Sequence, residues 1–159
     1  MTAVKHEAGL AAWPHILPRH VLESLPLPER WAAAITSSDP RSEVLVADSR
    51  RRVIGFAITR PSGDEDASDS TGELDGFYVE PASWGIGAGR SLLAAATTTL
   101  RDAGFVAATL WTASENHRPR RIYETAGWRT DGADRQRELG GVAFVEVRYR
   151  LQIRPPTPS

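Results

Sequence analysis

Three glycines at alternate positions open the segment with the clearest chemical signal. Gly85, Gly87 and Gly89 lie in residues 79–93 (VEPASWGIGAGRSLL), between a predicted strand and a predicted helix. Glycine allows positive φ and has no Cβ atom that would hold a ligand away from the backbone. The first N–H groups of a helix lack partners within the helix and attract anions. The loop therefore predicts a binding site for a phosphate or pyrophosphate group.

The spacing of the loop excludes two common nucleotide sites. A P-loop needs Lys and then Ser or Thr after its last glycine, whereas Gly89 is followed by Arg90 and Ser91. A dinucleotide-binding loop has G-x-G-x-x-G directly after its strand, whereas here the pattern is G-x-G-x-G and five residues separate Val79 from Gly85. A glycine-rich turn that packs tightly and binds nothing is the other interpretation.

Two carboxylates precede the loop on its strand. Strict alternation puts Glu73 and Asp75 on one face of the strand, together with Phe77 and Val79. Carboxylates in this place fit a proton acceptor, and solvated strand-end carboxylates are the alternative. Gly76 within the strand predicts a bulge or a close approach of another backbone.

The elements that position these residues predict a mixed α/β sheet with helices on its faces. Helices are expected near 6–13, near 28–37, at 87–102 and over about ten residues before Gly127, with irregular chain between the first two. Strands are expected at 43–48, 52–60, 72–79, 105–112, near 128–138 and at 142–151.

The composition of the chain limits the classes of protein to which it can belong. The 159 residues predict one domain over 1–153, with a disordered tail at 154–159. The net charge of -1 disfavours nucleic acid and anionic membrane as partners. The chain has no cysteine, and its four histidines are too scattered to suggest a metal site. No apolar run approaches roughly 18 residues, so a cytoplasmic protein is expected.

The segment 61–72 (PSGDEDASDSTG) is polar and acidic. Its composition predicts a mobile loop between two strands. Its carboxylates (Asp64, Glu65, Asp66 and Asp69) would attract a cationic acceptor, and a merely solvated loop is the alternative.

Two motifs in the right order resemble those of the GNAT superfamily of N-acetyltransferases. The first is a strand ending in Val79-x-Pro81, followed by the glycine loop and a helix; Trp84 departs from it, because Arg or Gln is usual there. The second is residues 110–128 (LWTASENHRPRRIYETAGW), where Asn116, Tyr123 and Gly127-Trp128 occupy the motif positions. The resemblance covers roughly residues 43–151.

The resemblance implies a mostly antiparallel central sheet that splays between the fourth and fifth family strands. It also implies acetyl-CoA as co-substrate, no metal, and a site in that splay. Family members usually begin with a strand before the first helix. Here either that edge strand is absent or the true start lies upstream of Met1.

Cofactor-binding residues follow from the same resemblance. Backbone groups of Phe77 and Val79 would bond the pantetheine arm and the thioester oxygen, and Asn116 would hold the arm, with helix capping as its alternative role. Arg120, within the basic cluster 118–121, is expected at the phosphate or adenine end, although such residues commonly form a solvated helix face. The residues expected at the pyrophosphate are Trp84, Gly85, Ile86, Gly87, Ala88, Gly89 and Arg90.

Catalytic roles are implied in the same way. Tyr123 would protonate the departing thiolate, and Glu73 is the first candidate for the base, with Asp75 second and Glu115 third. The function indicated is direct acetyl transfer to a primary amine, on a small molecule, a peptide or a protein. A non-catalytic acyl-CoA-binding or sensing module is the alternative. The oligomeric state is open, with a homodimer among the options.

Overall fold

The computed structural model describes Leu17, residues 19–24 and residues 29–153. Six strands form one sheet in the order β1-β2-β3-β4-β6-β5. The strands are β1 (Glu43–Ser49), β2 (Arg52–Pro61), β3 (Thr71–Val79), β4 (Ala107–Ala113), β5 (Arg129–Leu139) and β6 (Val142–Gln152). The helices are α1 (Arg19–Ser24), α2 (Glu29–Thr36), α3 (Ala88–Asp102) and α4 (His117–Thr125).

Neighbouring strands are antiparallel except at the centre of the sheet, where β3 and β4 are parallel. Only Thr71, Gly72 and Glu73 of β3 pair with β4, opposite residues 107–109. Beyond Glu73 the two strands diverge. The second half of β3 therefore has an edge that faces a gap instead of a neighbouring strand.

The main core lies between the sheet and helices α3 and α4. Leu92, Leu93, Ala96 and Leu100 recur along one face of α3 at helical spacing and are buried. They pack in one cluster with the buried aromatic residues Phe105, Tyr123, Trp128 and Tyr149. This packing fixes the N-terminus of α3 and the inner face of α4 on the same face of the sheet, next to the gap.

The opposite face of the sheet is covered by α1 and α2. Trp31 of α2 packs against Phe56 and Ile58 of β2, and its ring lies 5.4 Å from that of Tyr78. Leu17 and Val21 pack against the β5–β6 hairpin. The sheet is therefore the middle of three layers, and the gap between β3 and β4 opens toward both outer layers.

The structure confirms the predicted mixed sheet and its splay. The predicted strands and the helices at 28–37, at 87–102 and before Gly127 are all present, with ends that shift by at most a few residues. The expected irregular chain between the first two helices is wrong in part, because residues 19–24 are helical. The predicted helix near 6–13, the question of a first edge strand and the tail at 154–159 lie outside the described residues. The single domain over 1–153 stays a prediction.

The strict alternation expected along β3 is wrong. Ile58 of β2 pairs with Gly76 and Thr59 pairs with Leu74, so Asp75 is an extra residue opposite a single step of β2. Such a bulge exchanges the faces of the sheet on which odd-numbered and even-numbered side chains lie, so the pattern after the bulge is the reverse of the pattern before it. Leu74 faces the main core before the bulge and Phe77 does so after it, so Glu73 lies on the opposite face from Phe77.

Candidate active site

A cavity of about 470 Å³ occupies the gap between β3 and β4. At one end lie the glycine loop and α4, and at the other lie Trp31 and Tyr78 of the opposite layer. The residues predicted for the site that line the cavity are Phe77, Val79, Trp84, Gly85, Gly87, Gly89, Arg90, Asn116 and Tyr123. The two sequence motifs therefore meet across one space.

The glycine loop has the backbone that its sequence predicts. Gly85 and Gly87 have φ of 80° and 87°, in the left-handed region that favours glycine. The first backbone bond of α3 runs from the Ser91 N–H to the Gly87 carbonyl at 3.0 Å, so the N–H groups of residues 88–90 have no partner within the helix. A Cβ atom at Gly85 or Gly87 would meet no atom within 4 Å. The loop is thus an open cradle of unpaired N–H groups, which suits a phosphate or diphosphate anion.

A buried carboxylate supports the turn that leads into this cradle. Glu80 is 2 % exposed and accepts two hydrogen bonds from Arg52, at 2.7 and 2.5 Å. The Ser83 hydroxyl donates to the same carboxylate at 2.7 Å, and the Glu80 N–H donates to Ile54 at 2.8 Å. These bonds tie the turn to β2, so the loop begins from a fixed point.

Positive charge surrounds the cradle. Arg90 follows the loop, while Arg118 and Arg121 reach the cavity from α4, and all three side chains are exposed. Within the described part of the chain, none of the three forms an ion pair with a carboxylate. Together with the N-terminus of α3, they give this end of the cavity a field that favours anions.

Tyr123 is buried between the cavity and the main core. Its ring centroid lies 5.8 Å from that of Phe77 and 5.9 Å from that of Tyr149. Burial raises the pKa of its hydroxyl, and the nearby Tyr78 and Tyr149 raise it further. The hydroxyl therefore keeps its proton at neutral pH and can act as a hydrogen-bond donor.

Asn116 stands at the N-cap position of α4 but makes no capping hydrogen bond with its side chain. It is 6 % exposed and lines the cavity, and its amide lies 3.5 Å from the Thr112 hydroxyl. The capping role weighed as the alternative is therefore wrong, and the amide is available to a ligand in the gap.

Glu73 and Asp75 share one cation. The Arg60 guanidinium lies 3.0 Å from a carboxylate oxygen of each. Burial raises the pKa of Glu73, the charge of Arg60 opposes that rise, and the charge of Asp75 adds to it. Of the two, only Asp75 lines the cavity. Its side chain is 4 % exposed, so the bulge presents mainly its backbone to the gap.

These features agree with a match to the model of the Acetyltransferase (GNAT) family, which covers residues 9–128. The chain belongs to the GNAT family. It is 29% identical over 126 residues to an uncharacterized N-acetyltransferase of Mycobacterium tuberculosis, covering 77% of this chain and 76% of that protein. It is also 29% identical over 96 residues to the mycothiol acetyltransferase of an Arthrobacter species, covering 60% of this chain and 30% of that protein.

Solved GNAT structures share the fold. The PaiA N-acetyltransferase of Thermoplasma acidophilum, in complex with coenzyme A, has a TM-score of 0.72 at 18% identity, covering 94% of this chain and 89% of that one. A putative acetyltransferase of Salmonella typhimurium with its cofactor acetyl-CoA has a TM-score of 0.70 at 22% identity, covering 96% and 93%.

Arg120 does not take the place predicted for it at the phosphate end of the GNAT site. Its Nε donates to the Tyr149 hydroxyl at 2.8 Å, and another N–H of the guanidinium donates to the Ser114 carbonyl. Among the residues of the basic cluster, Arg118 and Arg121 line the cavity and Arg120 does not. The expectation is corrected accordingly: two donors of Arg120 hold α4 to Tyr149 of β6 and to the end of β4, and its side chain lies outside the cavity.

Two loop residues and one carboxylate also lie outside the cavity. Ile86 is 71% exposed, and neither its side chain nor Ala88 lines the gap. At these positions only backbone groups remain candidates for ligand contact. Glu73 likewise does not line the cavity, and its predicted role as base stays a prediction.

The acidic loop between β2 and β3 is not the free, mobile segment that its composition predicts. Arg148 donates to both carboxylate oxygens of Asp66, at 2.6 and 2.7 Å, and reaches Asp64 at 3.3 Å. Asp64 also accepts from the Trp111 indole at 2.9 Å. Two of the carboxylates expected to attract an acceptor are therefore neutralised within the protein.

Several residues at the far end of the GNAT cavity were missed at the sequence level. Trp31, Tyr78, Trp111 and Glu146 line that end. Trp31 comes from a helix whose packing position cannot be inferred from local spacing, and Glu146 comes from β6, which pairs with β4 although α4 and β5 lie between them in the chain. The one available signal was strand alternation: Trp111 directly follows the core residue Leu110, so its side chain should lie on the opposite face of the strand.

The described residues include no helix long and apolar enough to cross a bilayer. Over the same residues, no group of three or more His, Asp or Glu side chains is placed to hold a metal ion.

Proposed function

We propose that the protein transfers the acetyl group of acetyl-CoA to a primary amine, by direct transfer within a ternary complex. The observation that supports this most strongly is that one continuous cavity joins the cradle of unpaired N–H groups to the opposite face of the sheet. The cradle suits the diphosphate, and the gap between β3 and β4 admits an extended arm.

The edge of β3 suits the pantetheine arm. Beyond Glu73 its backbone has no β4 partner, so N–H and C=O groups of Phe77 are free to bond an extended ligand as a neighbouring strand would. Asn116 adds a side-chain amide on the opposite wall. When bound, acetyl-CoA supplies an acetyl group activated as a thioester.

Tyr123 is proposed to donate the proton that the departing sulfur requires. Its hydroxyl is neutral, because burial raises its pKa, and it makes no hydrogen bond with the described residues that would compete for its proton. A general acid held at the end of the arm fits this geometry.

Glu73 is proposed to receive the proton of the amine through water. Both carboxylates beside Arg60 are nearly buried, with 9% and 4% of the Glu73 and Asp75 side chains exposed, so direct contact with an amine is disfavoured. A raised pKa brings Glu73 closer to the operating pH, which suits a general base.

The acceptor is proposed to enter from the layer that contains α2. Trp31, Tyr78 and Trp111 give this end aromatic walls, while Glu146 adds a carboxylate that already accepts from Arg135 at 2.7 Å. These walls suit an amine with an apolar group next to its nitrogen. These aromatic walls therefore favour amphipathic amines over highly charged ones as acceptors.

A turnover screen tests this function. The protein is incubated with acetyl-CoA and panels of arylalkylamines, polyamines, aminoglycosides and peptides, and the release of free thiol is measured. We expect thiol release that depends on an amine and is fastest with the arylalkylamines. Tight binding of coenzyme A with no amine-dependent release in any panel would favour the non-catalytic acyl-CoA-binding module instead.

A further inference from the structure

Trp84 and Arg118 come from the two sides of the gap and contact each other at its mouth. Trp84 precedes the glycine loop, and Arg118 lies in the first turn of α4. The guanidinium carbon lies 4.3 Å from the centroid of the Trp84 ring. The indole N–H donates to the Val79 carbonyl at 2.9 Å, which fixes the ring against the end of β3.

The donors of Arg118 are available. A guanidinium that stacks face to face on a ring keeps its five N–H groups in its own plane, pointing away from the ring, and no hydrogen bond from the Arg118 side chain is present among the described residues. Arg118 is exposed and forms no ion pair with any carboxylate in the described ranges. Its neighbour Arg120 is different, because two of its N–H groups bond Tyr149 and Ser114 and its side chain does not line the cavity.

The donors of Arg118 lie beside the cradle. Trp84, on which Arg118 stacks, is followed directly by Gly85, and both residues of the pair line the cavity with Gly87 and Gly89. An anion on the N–H groups of residues 88–90 would therefore have backbone donors on one side and a guanidinium on the other. A planar guanidinium binds two oxygens of a phosphate at once.

We propose that Arg118, positioned by Trp84, binds the diphosphate of coenzyme A and makes the site specific for acyl donors that carry a diphosphate. This inference rests on the proposed function. Trp84 acts here as a positioning residue, and Arg118 contacts the ligand. Pantetheine thioesters without the diphosphate would gain nothing from the pair.

Binding measurements on matched variants test the pair. Coenzyme A, 3′-dephospho-coenzyme A and pantetheine are titrated calorimetrically into the wild type, R118A, R118K, W84A and the double variant W84A/R118A. The control is R101A, which removes the same charge from the far end of α3, outside the cavity. Thermal unfolding of each variant checks that it is folded.

We expect R118A to weaken coenzyme A and 3′-dephospho-coenzyme A by the same factor, about tenfold or more, and to leave pantetheine unchanged. R118K should lose most of that affinity, because an ammonium neither stacks as a plane nor binds two oxygens. W84A should weaken the same two ligands, and the double variant should bind no worse than R118A, since Trp84 acts through Arg118. R101A should bind like the wild type.

Three outcomes would overturn the inference: coenzyme A affinity of R118A within twofold of the wild type, a loss confined to coenzyme A, or additive losses in the double variant. A loss confined to coenzyme A would assign Arg118 to the 3′-phosphate instead.

If the wild type itself fails to bind coenzyme A, the proposed function fails as well. Titration with inorganic pyrophosphate then separates the two, because the anion site predicts binding that R118A weakens.

Discussion

At the scale of single residues, two neighbouring tyrosines have opposite surroundings. Tyr149 accepts from Arg120 at 2.8 Å and donates to Glu124 at 2.6 Å. Tyr123 makes no such bond with the described residues and lines the cavity. Their ring centroids are 5.9 Å apart. The chain therefore offers a matched pair in which one hydroxyl stabilises structure and the other is available to a ligand.

Replacement of Tyr123 by Phe removes the proposed proton donor and keeps the packing of the ring. General acid catalysis contributes typically 10²–10⁴-fold, so we expect kcat to fall by about that factor. The Kd for coenzyme A should change little, because binding needs no proton transfer. Steady-state kinetics and calorimetry measure the two quantities.

The Y149F variant is the control for this prediction. It should keep kcat within about threefold but lose about 1–2 kcal/mol of unfolding free energy, because Glu124 and Arg120 lose a partner. A Y123F enzyme with more than about half of the wild-type kcat, under conditions where acetyl transfer limits the rate, would contradict the role of Tyr123.

The carboxylates beside Arg60 predict a specific pH dependence. A base works only when deprotonated, so kcat/KM should rise as pH rises through the pKa of Glu73, which lies above its ordinary value of 4.5. E73Q should abolish this acidic limb. D75N should move it to lower pH, because the charge of Asp75 raises the pKa of Glu73.

The pH–rate profiles of the three proteins decide between the carboxylates. If D75N abolished the limb and E73Q kept it, Asp75 would be the base and the assignment of Glu73 would be wrong. Both variants leave Arg60 with one carboxylate partner, so each is a control for the other.

At the scale of elements, the loop that connects β2 and β3 is held by ion pairs and hydrogen bonds to other strands of the sheet. Arg148 of β6 is 7% exposed and binds Asp64 and Asp66 of this loop and Asp131 of β5. Hydrogen bonds from Arg148 lower the pKa of Asp66. The loop thereby holds Trp111, a wall of the proposed acceptor end, through Asp64.

Replacement of Arg148 by Met should release this loop. We expect a loss of about 2 kcal/mol of unfolding free energy, less than the roughly 3–5 kcal/mol of a fully buried pair, because Asp66 faces solvent. The folded-state pKa of Asp66 is lowered, so its contribution is present above its ordinary pKa of 3.8 and is lost as pH falls through the folded value. The difference between wild type and R148M should shrink accordingly in acid.

Urea unfolding at pH 7 and at pH 3 measures this difference. R137M is the control, because Arg137 is a half-exposed partner of Glu146 at 3.8 Å, and it should cost less than about 1 kcal/mol. Equal losses in the two variants at pH 7 would show that the loop is not held by Arg148.

At the scale of the whole molecule, the sheet consists of two three-stranded halves that share three residue pairs. A ligand in the gap would supply the hydrogen bonds that β3 and β4 do not make with each other. Bound coenzyme A should therefore protect both halves of the sheet from local opening, whereas a ligand confined to one half would protect that half alone.

Hydrogen exchange with and without coenzyme A tests this. Saturating ligand should slow exchange in residues 75–79 and 110–113 and leave α1 unchanged. At 100 times its Kd, coenzyme A should add about 2.7 kcal/mol of stability, measurable as a higher Tm. Protection limited to the glycine loop would mean that the arm does not enter the gap.

The sequence was informative where a local rule determines the structure. Positive φ at Gly85 and Gly87 and the apolar face of α3 follow from residue types and spacing. Pairings between distant residues do not: Asp66 and Arg148 are 82 positions apart. Acidic composition therefore predicted mobility for a segment that Arg148 and Trp111 hold from distant strands.

The errors at the site have the same origin. The bulge at Asp75 depends on how β2 and β3 pair, so alternation placed Glu73 on the wrong face. Within one basic cluster, the choice between Arg118 and Arg120 depends on Trp84 and Tyr149, which come from other elements. Sequence motifs located the site, whereas the roles of individual side chains required the fold.

The division of the sheet also follows the order of the chain. Strands β1–β3 and α3 precede Gly104, and strands β4–β6 and α4 follow it. The chain passes once from one half of the sheet to the other, at this turn, where Gly104 has a φ of 88°. A cut there would give two contiguous fragments that each retain three paired or adjacent strands and one wall of the gap. Because coenzyme A would touch both walls, it would act as a template for reassembly of the fragments. The molecule is thus a natural starting point for a split enzyme whose activity reports the concentration of its own acyl donor.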